Sequence, residues 1–285
     1  MTAEIIDGRA IGEQVQAEVR ERATAFAQQH GRPPGLHVVL VGDDPASHVY
    51  VRNKEQSSLK SGMHGAVHRL PADISQTALL ALVDELNRDP HVDGILVQMP
   101  LPKHIDAEAV IGTIDPHKDV DGLTPVNAGL LVLGRPGLVP CTPLGCLRLL
   151  DHVHCQLEGK HAVVVGRSSL VGKPMAHLLL SRNATVSIAH SRTRDLAALV
   201  AQADVVVAAV GKEALVRGAW IKPGAVVIDV GMNRNAQGKL CGDVEFEAAR
   251  ERASFITPVP RGVGPMTVAM LLCNTLDAAS RRLVG

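Results

Sequence analysis

The chain has 285 residues, of which 46% are apolar and 20% charged, with 29 basic side chains set against 29 acidic ones. That balance excludes a disordered segment, a basic nucleic-acid surface and a cationic membrane-binding face, and the length suits two α/β domains better than a single core. No apolar stretch approaches the roughly 20 residues needed to cross a bilayer. The N-terminus, MTAEIIDGRA, lacks a basic region leading into an apolar one, so no signal peptide is expected. Cys141, Cys146, Cys155, Cys241 and Cys273 form no C-x-x-C pair and are odd in number, which fits a reducing, cytoplasmic setting. With only three Phe, one Trp and one Tyr, the cores must be aliphatic.

In chain order the pattern alternates strand and helix. Glu13 to Glu21, with Arg20 and Arg22, reads as the solvated face of a first helix. Leu36–Val41 is a short β-branched strand that stops at Gly42-Asp43-Asp44-Pro45, and Ser47 is placed to cap a helix running to about Ser61. Residues 64–70 form a second strand, Gln76–Asn87 a helix and Gly94–Met99 a third strand, ended by Pro100 and Pro102. This spacing predicts parallel βαβ units. The Gly-, Pro- and Asp-rich stretch 114–142 holds a domain boundary near Pro140. A helix from Thr142 to about His152 then leads to strands at 161–165, 185–189, 204–210, 225–230 and 254–257. Pro265 suits the first turn of a last helix reaching about Arg281.

The second half offers a nucleotide site. In GRSSLVGKP at 166–174 a buried strand ends at Gly166, a tight loop follows, and a helix begins near Lys173-Pro174. Backbone N–H groups and a helix N-terminus are thereby offered to a pyrophosphate, although Ser168 stands where a strict G-x-G-x-x-G has its second glycine. The next strand ends in His190-Ser191-Arg192-Thr193-Arg194 rather than in the Asp or Glu that meets a free ribose hydroxyl. With Arg167 in the first loop, these guanidinium groups suit an extra phosphate and favour NADP over NAD. Gly211 and Gly231 lie at two later strand ends, where the backbone can approach a cofactor.

In the first half, Tyr50 and Lys54 stand four residues apart on one helix face. A Y-x-x-x-K pair also marks short-chain dehydrogenases, but there it follows the nucleotide fold, and here it precedes it. VQMPLP at 97–102 sets Gln98 at a strand's carboxyl end. PHKDVDGL at 116–123 packs Lys118, Asp119 and Asp121 against a glycine, and TPVPRGVGPMT at 257–267 is a rigid loop before the last helix. His152, His154 and Cys155 lack metal-ligand geometry, since positions two apart on a helix do not share a face, and no metal is expected.

Together Tyr50-Val-Arg-Asn-Lys54, VQMPLP, KDVDG, PCTP at 140–143, GRSSLVGKP and GVGPMT resemble, in order and over essentially the whole chain, the bifunctional methylenetetrahydrofolate dehydrogenase/methenyltetrahydrofolate cyclohydrolase family. The resemblance implies an α/β fold with an N-terminal folate-binding catalytic domain over 1–140, completed by a C-terminal helix at about 266–285. A Rossmann-like NADP-binding domain over 141–265 would lie across a cleft from it, in a homodimer. It implies that Lys54 is the central catalytic residue, with Tyr50 and Gln98 beside it, Asp121 holding the pterin and Pro265 at the substrate. Gly166, Arg167, Ser168, Ser191, Arg192, Gly211 and Gly231 would surround NADP. One departure stands out: the family usually has two glycines in PGGVGPMT, and Arg261 replaces the first. If that backbone needs φ > 0, an arginine there is strained.

The implied chemistry is oxidation of 5,10-methylenetetrahydrofolate to the methenyl cation, followed by hydrolysis to 10-formyltetrahydrofolate. Hydride loss needs orientation more than a base; hydrolysis needs a base for the attacking water. Lys54 is expected to serve as a largely neutral amine in the occupied site, since poor hydration and the neighbouring cation both disfavour a second charge. Two other readings compete. A shikimate-type NADP dehydrogenase leaves VQMPLP and GVGPMT unexplained, and a non-catalytic NADP-binding sensor leaves no use for Tyr50, Lys54, Gln98 and Asp121 together.

Overall fold

A computed structural model describes residues 2–284, with the backbone alone for Ala46, Leu283 and Val284. By contact the chain divides into two compact units. One holds Gln14–Cys141 with the chain from Val268 onward, and the other holds the chain up to Glu13 with Thr142–Thr267. The sequence-based boundary near Pro140 lies beside the observed one. The first thirteen residues, assigned by sequence to the first domain, group instead with the second, because β1 (Glu4–Ile5) adds a parallel strand to its sheet beside Phe255 and Ile256.

From β1 the chain enters α1 (Gly8–His30), whose Ile11, Val15, Val19, Ala23 and Phe26 form one buried stripe at helical spacing. Next come β2 (Gly35–Val41), α2 (Pro45–Lys60), β3 (His64–Leu70), α3 (Gln76–Arg88) and β4 (Gly94–Val97), which build a parallel sheet in the order β3-β2-β4. Leu79, Val83 and Leu86 of α3 pack into the cluster that holds Val39, Val41, Ile95 and Val97. The expected third strand stops at Val97, two residues early, so Gln98 stands just past its end. The cap of α2 also differs from expectation. Asp44, immediately before Pro45, accepts the Ser47 N–H at 2.8 Å, and Ser47 donates its own hydroxyl to the same carboxylate at 2.7 Å. A carboxylate at this position both satisfies a free amide and complements the helix dipole, so it outcompetes serine.

After α4 (Ala107–Thr113) and α5 (Pro125–Val132), α6 (Cys141–His152) leads into the second sheet. Its elements are β5 (His161–Val165), α7 (Gly172–Leu180), β6 (Thr185–Ala189), α8 (Leu196–Val200), β7 (Val205–Ala208), β8 (Val226–Asp229), the short hairpin β9 (Asn233–Arg234) and β10 (Leu240–Cys241), α9 (Phe246–Arg250) and β11 (Phe255–Ile256). The six-stranded parallel sheet runs β1-β11-β8-β7-β5-β6. Val163–Val165 and Val205–Val207 are all at most 1% exposed, the continuous apolar pattern of strands covered on both faces. The chain leaves β5 first for β6 on one side and then for β7 on the other, so the strand order reverses at β5, where open α/β sheets take ligands. The last helix, α10, is Val263–Val284, with Pro265 in its first turn as expected. Gly285 lies outside the described residues.

Two buried charges hold the first unit. Asp93, fully buried, takes both guanidinium nitrogens of Arg32 at 2.6 and 2.9 Å, Arg282 of α10 at 2.9 Å and the Gly35 N–H at 2.9 Å. Lys118, 1% exposed, gives its three protons to the carbonyls of Leu86, Asn87 and Asp89 at 2.9, 2.6 and 2.7 Å, thereby capping the C-terminus of α3. Burial, with Arg282 nearby, pushes its pKa down to about 8. Substituting Lys118 by Met should leave these carbonyls without a donor and lower stability by about 3 kcal/mol. A urea midpoint unchanged from that of the parent protein would show that the cap contributes nothing.

Candidate active site and cofactor loop

In the first unit, α2 carries Tyr50 and, one turn later, Lys54. Lys54 is only 7% exposed, and its Nζ donates to Gln98 Oε1 at 2.9 Å. The Gln98 amide is held in turn, because its Nε2 donates to the Met99 carbonyl at 2.7 Å. This fixes the oxygen, the acceptor, toward the lysine. Tyr50 is half-buried, and burial raises its phenol above the usual value.

Asp121 enters from the KDVDG turn, which is strapped to β4: Ile95 N–H donates to the Lys118 carbonyl at 2.7 Å, and Asp119 bridges to Ile95. Asp119 is a scaffold residue. Its buried carboxylate accepts Leu123 N–H at 3.1 Å, Thr124 N–H at 2.8 Å and Asn127 Nδ2 at 2.8 Å. Of the three charges noted in this segment, therefore, Lys118 and Asp119 are committed to the scaffold, while Asp121 has the Cys141 thiol as its hydrogen-bonding neighbour. The Cys141 thiol joins the group. Burial pushes it well above the ordinary value, the Asp121 charge pushes it further, and Lys54 opposes, so all three side chains share one locality. Asn274 of α10 closes this side, donating to the Val120 and Val139 carbonyls, each at 2.8 Å. Sequence reasoning noted PCTP but gave Cys141 no role. Asn274 left one faint signal, a lone amide in the apolar run LLCNTL.

In the second unit, Gly166 ends β5 with φ +131°, and a Cβ there would lie 2.1 Å from the Ala209 carbonyl. A Cβ on Gly172, at the start of α7, would lie 2.2 Å from the Gly166 carbonyl. Only glycine fits either position, and the result is a tight strand–loop–helix turn. The Ser168 hydroxyl accepts the Val171 N–H at 3.2 Å and the Gly172 N–H at 3.4 Å, bracing the turn from inside. Arg167, Ser168, Ser191 and Arg192 are all exposed at the carboxyl ends of β5 and β6. Neither guanidinium is in an ion pair among the described residues. The Ser191–Thr193 turn is set by His190, whose N–H donates to Thr193 Oγ1 at 2.8 Å and whose Nδ1 accepts Arg192 N–H at 3.1 Å. A glycine cradle, a helix N-terminus and two free cations fit a dinucleotide with an additional phosphate. Gly211 and Gly231 lie at the ends of β7 and β8, but their N–H groups are engaged internally, by Asp243 at 3.0 Å and Asp229 at 2.9 Å. Burial pushes the Asp229 carboxyl up to about 7.

Comparison with known proteins follows this division. The family model for the tetrahydrofolate dehydrogenase/cyclohydrolase catalytic domain matches residues 6–121, and that for its NAD(P)-binding domain matches residues 140–283. The chain belongs to the tetrahydrofolate dehydrogenase/cyclohydrolase family. It is 61% identical over 284 residues to the bifunctional protein FolD of Sorangium cellulosum, covering 99% of each chain. The solved bifunctional enzyme FolD of Campylobacter jejuni superposes with a TM-score of 0.96 at 46% identity, over 98% of this chain and 99% of that one. The Trypanosoma brucei methylenetetrahydrofolate dehydrogenase-cyclohydrolase, solved with NADP cofactor and inhibitor, gives 0.95 at 42% identity over the whole of both chains. A shikimate 5-dehydrogenase from Thermus thermophilus reaches only 0.53 at 16% identity, a likeness of fold alone.

Against the family pattern, Arg261 is the visible departure, and it does occupy the left-handed region, at φ +82°. The backbone there has little freedom. A Cβ on Gly8 would lie 1.9 Å from the Gly262 carbonyl, and Arg9 N–H donates to the Arg261 carbonyl at 3.0 Å. The arginine side chain compensates in part through an exposed ion pair to Asp7 at 3.1 Å. Left-handed backbone disfavours a side chain by roughly 1 kcal/mol, while an exposed pair contributes well under about 1 kcal/mol and is screened by salt. Arg261→Gly should therefore raise the thermal midpoint in high salt by roughly 2 °C, less the freedom that glycine regains in the unfolded chain. A fall in both low and high salt would contradict the strain.

Proposed function

We infer that the chain oxidises 5,10-methylenetetrahydrofolate with NADP to 5,10-methenyltetrahydrofolate and hydrolyses that product to 10-formyltetrahydrofolate. The observation that carries the residue assignment is the buried Lys54 amine, 2.9 Å from a Gln98 oxygen that is itself fixed, with Asp121 beside it. A sensor that had lost its chemistry would have no reason to bury a lysine against a locked amide.

When NADP is bound, its nicotinamide supplies the acceptor for the hydride of the methylene bridge. Gly166, the α7 N-terminus, Ser168 and Ser191 would hold its phosphates, and Arg167 and Arg192 would meet the additional phosphate that distinguishes it from NAD. Gly211 and Gly231 shape the floor beside it. Asp121 would accept paired hydrogen bonds from the pterin amino and ring N–H groups, which orients the folate for both steps. Tyr50 offers a ring face and a hydroxyl to the same substrate, and Pro265 stiffens the first turn of α10. In the hydrolytic step water adds to the methenyl carbon and loses a proton to Lys54. The same proton then goes to the ring nitrogen as its bond to that carbon breaks, and the remaining proton of the added water is released to solvent as the formyl carbonyl forms. Gln98 holds the amine in line throughout.

A homodimer and a cytoplasmic setting complete the reading. Strand β6 is a free edge of the six-stranded sheet and exposes Ile188 at 42%, a surface that a second copy would cover. None of the five cysteines is joined in a disulfide, as in a reducing compartment, and no helix among the described residues is long and apolar enough to cross a membrane.

With methylenetetrahydrofolate, NADPH should appear readily and NADH far more slowly, followed by absorbance at equal dinucleotide concentration. Lys54→Met should lower hydrolysis of methenyltetrahydrofolate by roughly a hundredfold or more with the fold intact by circular dichroism. Normal hydrolysis in that variant would end its assignment. Asp121→Ala should raise the folate KM by roughly tenfold.

A further inference from the structure

One carboxylate at the carboxyl edge of the six-stranded sheet serves neither the folate chemistry nor any cofactor contact named above. Asp243, fully buried, lies two residues beyond β10. Its Oδ2 accepts Val210 N–H at 2.6 Å and Gly211 N–H at 3.0 Å, and its Oδ1 accepts Lys212 N–H at 2.8 Å and Asn233 Nδ2 at 2.9 Å. Three successive backbone amides past the end of β7 make a ready anion cradle. Here the chain fills it with its own anion. Asp229 at the end of β8 holds that anion in place, accepting Asp243 N–H and Gly231 N–H on one oxygen and Val244 N–H on the other, each at 2.9 Å. The packing leaves no slack. A Cβ on Gly231 would lie 2.3 Å from Asp243 Oδ1, and one on Gly242 would lie 1.9 Å from Asp229 Oδ2.

This anchored turn touches the phosphate loop. Ala209, whose carbonyl confines Gly166, immediately precedes Val210, whose amide makes the shortest bond to Asp243. The position of the carboxylate therefore sets the path of residues 209–212, and Ala209 sets the path of Gly166. With the cradle at β7 already neutralised, the N-terminus of α7 is left as the anion site at this edge. We propose that Asp243, braced by Asp229, is a positioning residue for the dinucleotide: it fixes the 209–212 turn, and through it the Gly166 loop, and it directs the phosphates to α7 rather than to the amides beyond β7. This rests on the reading that NADP crosses the carboxyl ends of β5 and β7.

The test uses the full-length protein and the fact that hydrolysis of supplied methenyltetrahydrofolate consumes no dinucleotide. Asp243→Asn sets an amide N–H against backbone donors. It should raise the KM for NADP by about tenfold while kcat changes by less than about threefold and hydrolysis is retained. Asn233→Ala, which removes one of the four donors, should move the NADP KM the same way by a smaller factor, and it decides the matter if Asp243→Asn does not fold. An unchanged NADP KM, or a parallel fall of oxidation and hydrolysis with a lowered melting temperature, overturns the proposal. Arg192→Ala separates the two levels. If it raises the NADP KM while the Asp243 and Asn233 variants do not, the positioning role alone fails; if it too leaves KM unchanged, the cofactor assignment beneath it falls as well.

Discussion

Lys54 puts an amine nitrogen where water scarcely reaches, and a polar group so placed is tolerated only if a partner is fixed to meet it. Gln98 is that partner, and it is fixed because its own amide is committed to the Met99 carbonyl. Gln98 stands at the end of β4, whose register is shared with β2 on one side and with the Lys118–Asp119 segment on the other. Asp121 follows two residues later in that segment. The two acceptors near the lysine are thus carried on neighbouring, hydrogen-bonded stretches of backbone, so their spacing is inherited from the sheet rather than left to mobile side chains.

Buried charge recurs as a structural device in both units. In the first, Asp93 gathers Arg32 and Arg282, and Lys118 caps α3. In the second, Asp229 and Asp243 organise the turns past β7 and β8. Each of these groups is satisfied by several donors or acceptors, the condition under which a buried ion holds geometry instead of weakening the fold. The two pairs act at opposite ends of their strands: Asp93 and Lys118 fix the chain where it enters β2 and β4, whereas Asp229 and Asp243 fix the turns past the carboxyl ends of β7 and β8.

Much of this was legible in the residues. The run LHVVLV, the valine triplets of β5 and β7 and the glycine-rich turn after Val165 announced parallel strands and a tight strand–loop–helix turn, because apolar periodicity and glycine placement are local properties. Tyr50 and Lys54 fell on one helix face for the same local reason. The roles of Lys118 and Asp119 were not legible. They look as chemical as Asp121 in the sequence, and only their partners, roughly thirty residues upstream for Lys118 and a few residues downstream for Asp119, show them to be scaffold. Arg261 could be flagged as a departure, but its left-handed backbone is a fact of the structure.

The sequence by itself determined the two-part α/β plan, the alternation of the main strands and helices, the tight glycine turn after β5 and the placement of Tyr50 and Lys54 on one helix face, since each is encoded by neighbours within a few positions. Tertiary structure decided that Lys118 and Asp119 are engaged by the scaffold, that β1 at the chain start belongs to the sheet near its end, that Cys141 and Asn274 both meet the Val120 carbonyl, and that Asp243 binds the turn past β7. Most of those outcomes depend on pairings across tens to hundreds of residues, and no local pattern specifies which distant donor a buried carboxylate or amide will meet.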